Sequence, residues 1–175
     1  GFPEGRGLPA LTFLYANNPD VKKLVLAIHY DLAAVGIRAE LQSLDWAAFL
    51  DRLDKNPPDL FLLSWVADYN DPDNFLYLLF HSKQWADNNH VRYANPDVDR
   101  LLTRGRAIMD PAERMALYRR AEELILADLP WALLEHRTNV LLLQPWVKGV
   151  RERLTAMDSG PGLNYVDFLH VDLER

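Results

Sequence analysis

Two hydrophobic rhythms alternate along the first third of the chain. Residues 11–15, Leu-Thr-Phe-Leu-Tyr, form a short apolar run that predicts a strand. Val21, Leu24, Val25, Ile28, Leu32 and Val35 then recur at three- and four-residue steps, which predicts a helix with one apolar face. Asn17 or Asn18 can cap that helix, Pro19 suits its first turn, and Gly36 offers the left-handed residue that ends it. Ile37, Ala39 and Leu41 alternate with Arg38, Glu40 and Gln42, so a second strand follows at once. Asp45 is placed to cap a second helix burying Trp46, Phe49, Leu50 and Leu53, and Pro57-Pro58 stops it. Leu60-Phe61-Leu62-Leu63 has the unbroken apolar character of a strand covered on both faces. Strand, helix, strand, helix, strand in this order predicts an α/β fold with parallel pairing and right-handed crossovers.

The pattern then changes. Trp65, Asp68 and the turn cluster Tyr69-Asn70-Asp71-Pro72 lead to Asp73, which can cap a short helix opening with Asn74 and Phe75. Residues 82–96 read as a polar loop rich in Asn and Asp. Helices are predicted over 97–109 and 111–128. Val98, Leu101, Leu102, Gly105 and Ile108 share a face of the first, and Met115, Tyr118, Ala121, Ile125 and Leu129 a face of the second. Residues 131–135, 138–143 and 165–171 read as strands, with irregular chain over 145–161. There is no internal repeat and no low-complexity tract.

Composition narrows the function classes. A chain of 175 residues, 49% hydrophobic and 25% charged, makes one soluble domain with a real core. A net charge of −6 argues against nucleic acid as a partner, since that footprint is basic and clustered. The acidity suits cationic or zwitterionic solutes. With no cysteine, disulfide frameworks and thiolate metal sites are excluded, and the compartment is left open. No apolar run is long enough to span a bilayer, and Gly1-Phe2-Pro3 does not open a signal peptide.

In open α/β sheets ligands bind beyond the carboxyl ends of the strands, so the residues after the third strand are the place to expect a site. Asp68 is the foremost candidate, although an Asp in such a turn can simply accept turn amides. Trp65 reads as a pocket wall or a core aromatic, Tyr69 as a pocket flank or a turn residue, and Asn88 and Asn89 as cleft or loop residues. Asp71 and Asp73 could join Asp68 in a cation loop. However, the Gly and distal Glu of a calcium loop are missing, and turn initiation and capping fit them better. His29, His81, His90, His136 and His170 show no metal-ligand spacing, and no phosphate loop or nucleophile elbow occurs. No cofactor is implied.

The segment SWVADYNDPDNFL, from Ser64, resembles one found in the family 5 extracellular solute-binding proteins of bacterial ABC importers, the dipeptide-, oligopeptide- and nickel-binding receptors. The resemblance continues in order through Asn88-Asn89, Arg92-Tyr93, Asn95-Pro96-Asp97-Val98-Asp99, Asp110-Pro111-Ala112-Glu113-Arg114 and Leu117-Tyr118, covering nearly the whole chain. It implies a periplasmic-binding-protein-like lobe, three-layer α/β/α with a mainly parallel central sheet. Residues 1–175 would form a single lobe, the C-terminal ligand-binding lobe of a two-lobed receptor whose N-terminal lobe, with its signal peptide, is absent here. Such a protein binds a solute, here expected to be a peptide, at the periplasm or cell surface and hands it to a membrane permease, with no catalysis.

The resemblance further implies that Asp68 pairs with the α-ammonium of the ligand. Backbone groups of Ser64, Trp65 and Val66 would pair with its extended chain, and Tyr69 and Asn89 would border it. Tyr15 stands where some dipeptide receptors place an arginine for the ligand carboxylate, and Leu62 where some oligopeptide receptors carry a basic residue. Longer peptides, an oligosaccharide or a metal complex therefore stay open as solutes. Alone, the lobe is expected to bind solute weakly and to expose apolar surface through which it could dimerise. The alternatives are a hydrolase using Asp68 with Asp71 or Asp73, and the sensor lobe of a transcriptional regulator.

Overall fold

A computed structural model describes residues 2–69 and 71–134, with positions 142, 144, 147, 148, 170 and 171. The chain divides into two compact units. The first comprises Gly1–Ser64 and Lys83–Arg92, the second Trp65–Ser82 and Tyr93–Arg175.

In the first unit β1 (Leu11–Ala16), α1 (Pro19–Ala34), β2 (Ala39–Leu44), α2 (Trp46–Lys55) and β3 (Leu60–Leu62) follow in chain order. The sheet is parallel, ordered β2-β1-β3, with Leu11 opposite Ala39 and Phe13 opposite Leu60. The central strand is covered on both faces. Phe13 and Tyr15 pack with Val25, Ile28 and Leu32 of α1 on one side. Leu14 packs with Phe49 and Leu53 of α2 on the other. This is the expected α/β/α layering, and the strand's apolar run follows from it.

The predicted punctuation works as read. Asn18 Oδ1 accepts from the Asp20 and Val21 amides at 2.9 and 3.2 Å, and Asp45 Oδ1 from the Ala48 amide at 3.1 Å. Gly36, at φ +83°, follows α1. A Cβ there would lie 2.0 Å from the Glu4 carbonyl oxygen, so the position requires glycine twice over. Two expectations fail: Val35, the residue that ends α1, is 62% exposed, and Trp46 is 57% exposed. As the first residue of α2, Trp46 stacks on Phe49 from outside, with ring centroids 5.7 Å apart, instead of entering the core. The segment 83–92 closes the unit, with Asn89 and His90 buried and Arg92 Nη2 donating to the Asp54 carbonyl at 3.1 Å.

The second unit is built on α3 (Asp73–Phe80), α4 (Pro96–Ala107) and α5 (Pro111–Asp128). Tyr77, Leu79, Phe80, Val98, Leu102, Tyr118, Ala121 and Ile125 form its core, with Trp65, Tyr93 and Trp131 packed against them. The motif residues outside residues 64–76 turn out to be fasteners. Asn95 caps α4 through the Asp97 amide, while its Nδ2 and the Tyr93 hydroxyl both donate to Asp128 Oδ2, at 2.8 and 2.6 Å. Asp110 caps α5 through the Glu113 amide at 2.7 Å. Leu129, expected on the buried face, is 68% exposed: it ends α5 in the left-handed region at φ 47°, which turns it off the face. Trp131 to Leu134 do not pair as a strand. Val147–Lys148 and His170–Val171 form a short antiparallel pair, β4 and β5. Most of the strands expected at 138–143 and 165–171 lies outside the described residues. Among the described residues no helix is long and apolar enough to cross a membrane.

Candidate functional site

The segment from Trp65 to Asn74 is held from two sides. On one side stands Asn74, second residue of α3 and 0% exposed. Its Oδ1 accepts from Trp65 Nε1 at 2.8 Å and from the Asp68 backbone amide at 3.3 Å. Its Nδ2 donates to Asp68 Oδ2 at 3.3 Å. Asp68 itself is exposed. Among the described residues no cation pairs with it.

On the other side lie Asp71 and Asp73, and both are neutralised. Arg114 donates to both carboxylate oxygens of Asp71, at 2.7 and 2.8 Å, a bidentate pair. Its Nε also donates to the Gly105 carbonyl at 3.1 Å. Asp73, 7% exposed, faces Arg106 Nε at 3.3 Å and accepts from the Tyr69 and Tyr118 hydroxyls at 2.9 and 3.1 Å. Helix capping, expected of Asp73, falls to Asp71 instead: its Oδ1 takes the Asp73 amide at 2.8 Å. Asp73 is itself the first residue of α3, past the capping position, and its carboxylate turns to an arginine and two phenols. Hydrogen bonding to Arg114 holds the Asp71 carboxyl below its ordinary value. Burial, with the Asp73 charge beside it, pushes the Tyr118 phenol up to about 12. Tyr69 is raised by burial and then by its bond to Asp73.

These groups line an open depression of about 220 Å³ formed by Tyr69, Asp71, Asp73, Arg106 and Arg114. Two acids face two arginines there, so the depression is charge-balanced and acts as a brace. Acid–base work by Asp71 or Asp73 finds no support: each carboxylate is tied to a guanidinium. Among the described residues no three His, Cys, Asp or Glu side chains gather as a metal site needs.

The remaining candidates divide by unit. Ser64 is exposed, Tyr15 is 6% exposed within the core of the first unit, and Asn89 is fully buried there, its backbone carbonyl taking the Arg92 amide at 2.9 Å. In the second unit Val66 and Tyr69 are 46% and 45% exposed, and Trp65 lies against the helical core with its ring nitrogen given to Asn74. The fold thus brings Trp65, Asp68 and Tyr69 into one braced segment. Sequence reasoning missed Asn74, Arg106, Arg114 and Tyr118 as its supports. The one signal was the spacing of Arg114 and Tyr118, four apart on one face of α5.

Comparison with known proteins gives these features a context. Residues 1–87 match the model of the family described as bacterial extracellular solute-binding proteins, family 5 Middle. Heme-binding protein A of Haemophilus influenzae is 30% identical over 134 residues, 77% of this chain and 24% of that protein. Di/tripeptide-binding protein 2 of Pseudomonas aeruginosa is 33% identical over 110 residues, 62% of this chain and 21% of that protein. The solved structure of the Escherichia coli murein tripeptide binding protein MppA matches with a TM-score of 0.69 at 31% identity, over 80% of this chain and 27% of that one. The chain therefore spans about a quarter of the length of such relatives, which are named as binding proteins and not as enzymes. In sequence and in fold, it belongs to the family 5 bacterial extracellular solute-binding proteins.

Proposed function

We propose that the chain is the C-terminal, ligand-contacting lobe of the substrate-binding component of an ABC importer, that its solute is a peptide, and that Asp68 receives the peptide's α-ammonium. The observation that carries this reading is the fate of the three acids after β3. Asp71 and Asp73 each have an arginine, while Asp68 is exposed with no cation among the described residues. Among the described residues its side chain takes one bond, from the neutral Asn74 amide, which brings no compensating charge. A unit pair at about 4 Å is worth roughly 4 kcal/mol at an effective dielectric near 20, less the cost of desolvation. An ammonium brings three donors, and the exposed residues Ser64 and Val66 can add main-chain pairing to an extended peptide.

In this reading Trp65 supplies an apolar wall by its ring face, because its ring nitrogen is already used. Tyr69 borders the acid. A second lobe closes on the solute by hinge motion at the periplasm or cell surface, and the closed form docks on a membrane permease. Trialanine and N-acetyl-trialanine separate the ammonium from the rest of the peptide. Calorimetry on the full-length protein is expected to show tighter binding of trialanine. Asp68→Asn should lower that affinity by roughly 10- to 100-fold and abolish the preference, the range expected for a charged hydrogen bond. Unchanged trialanine binding by Asp68→Asn would overturn the assignment.

A further inference from the structure

The proposed binding acid is aimed by a residue outside its own turn. Asn74 is fully buried, and its amide can sit only one way round. Two donors, Trp65 Nε1 and the Asp68 amide, converge on Oδ1. Reversing the amide would set its NH₂ against both N–H groups. With Oδ1 fixed, Nδ2 must face the Asp68 carboxylate, which it meets at Oδ2. We infer that Asn74 is a positioning residue for ligand recognition: it fixes the Asp68 main chain and one carboxylate oxygen, and so presents the other oxygen, with its full charge, to a cationic ligand terminus.

The residue type fits the task. An arginine at this place would neutralise Asp68, as Arg114 and Arg106 neutralise Asp71 and Asp73. A carboxylate would repel it. A buried neutral amide orients the acid without discharging it. Ordering the acid beforehand removes part of the entropy that binding would otherwise cost. The same Oδ1 links Trp65 to Asp68, so wall and acid are set in register by one atom.

This inference rests on the reading of Asp68 as the ligand's cation anchor, and the test separates the two. Trialanine and N-acetyl-trialanine are titrated into the full-length protein and its variants, and the ratio of their affinities is the readout. Asn74→Leu removes the amide and keeps the branched shape. Asn74→Ser, too short to reach Asp68, serves if the leucine does not fold. Arg114→Met is the stability control, since it removes the Asp71 pair and leaves Asp68 untouched. The expected result is at least a roughly tenfold loss of the ratio in the Asn74 variants, no loss in Arg114→Met at a similar drop in Tm, and no further loss when Asn74→Ser is added to Asp68→Asn. If Asp68→Asn abolishes the ratio while the Asn74 variants keep it, the positioning role is overturned and the anchor stands. If Asp68→Asn leaves the ratio unchanged, anchor and positioning role fall together.

Discussion

Arg114 and Asp71 meet through two short hydrogen bonds, with 24% and 29% of their side chains exposed. Arg114→Met removes both and leaves the carboxylate unpaired, so a loss of about 2 kcal/mol is expected in urea unfolding at pH 7. The pH dependence has a definite sign. The folded Asp71 carboxyl is held below its ordinary 3.8, so its contribution is fully present above that pH and is lost as pH falls through the lower folded value. The stability gap between wild type and Arg114→Met should therefore be widest above about pH 4 and close below it; a gap that stays constant from pH 7 to pH 3 would refute the pairing. None of this could be read locally, because Asp71 and Arg114 are 43 positions apart. Asn74 was hidden for a different reason. A polar residue in the first turn of a helix has an ordinary solvent-facing explanation, and only the folded position of Trp65 shows what the amide holds.

The elements themselves were largely legible, because α1, α2, α4 and α5 carry both a periodic apolar face and a capping side chain that the structure uses. What pattern could not give was the fit between helices. Gly105 of α4 reads as a small residue on an apolar face. In the fold a Cβ there would lie 3.2 Å from the Tyr118 ring, whose hydroxyl is committed to Asp73. Gly105→Ala gains up to about 1 kcal/mol of helix propensity, but it must displace a ring that is 1% exposed. Overpacking of this kind costs about 1–3 kcal/mol, so a net loss is expected in urea unfolding. Tyr118→Ala in the same background should relieve the overlap, making the pair non-additive. Gly36 gives the sharper case. Gly36→Ala combines a left-handed φ with contact against the Glu4 carbonyl, and it should cost more than about 2 kcal/mol. An alanine tolerated there within 0.5 kcal/mol would show that the turn is not as described.

Across the whole chain, the peptide passes between the two units three times, at 64/65, 82/83 and 92/93. The alternating first 64 residues look self-sufficient as sequence. Yet Asn89 and His90 are buried in the same unit, and Arg92 ties it to the end of α2. A polypeptide of residues 1–64 should therefore exchange its β1 amide hydrogens much faster than the 175-residue chain does; equal protection would show that residues 83–92 add nothing. The crossing at 64/65 has a practical corollary for altering specificity. Trp65, Asp68 and Tyr69 follow a sheet strand in the sequence but are fastened to Asp73 and Asn74 of α3. A graft of residues 65–69 alone onto a sister receptor would arrive without its anchorage. To carry its preference across, the transplant must bring Asn74 and the start of α3 that seats it.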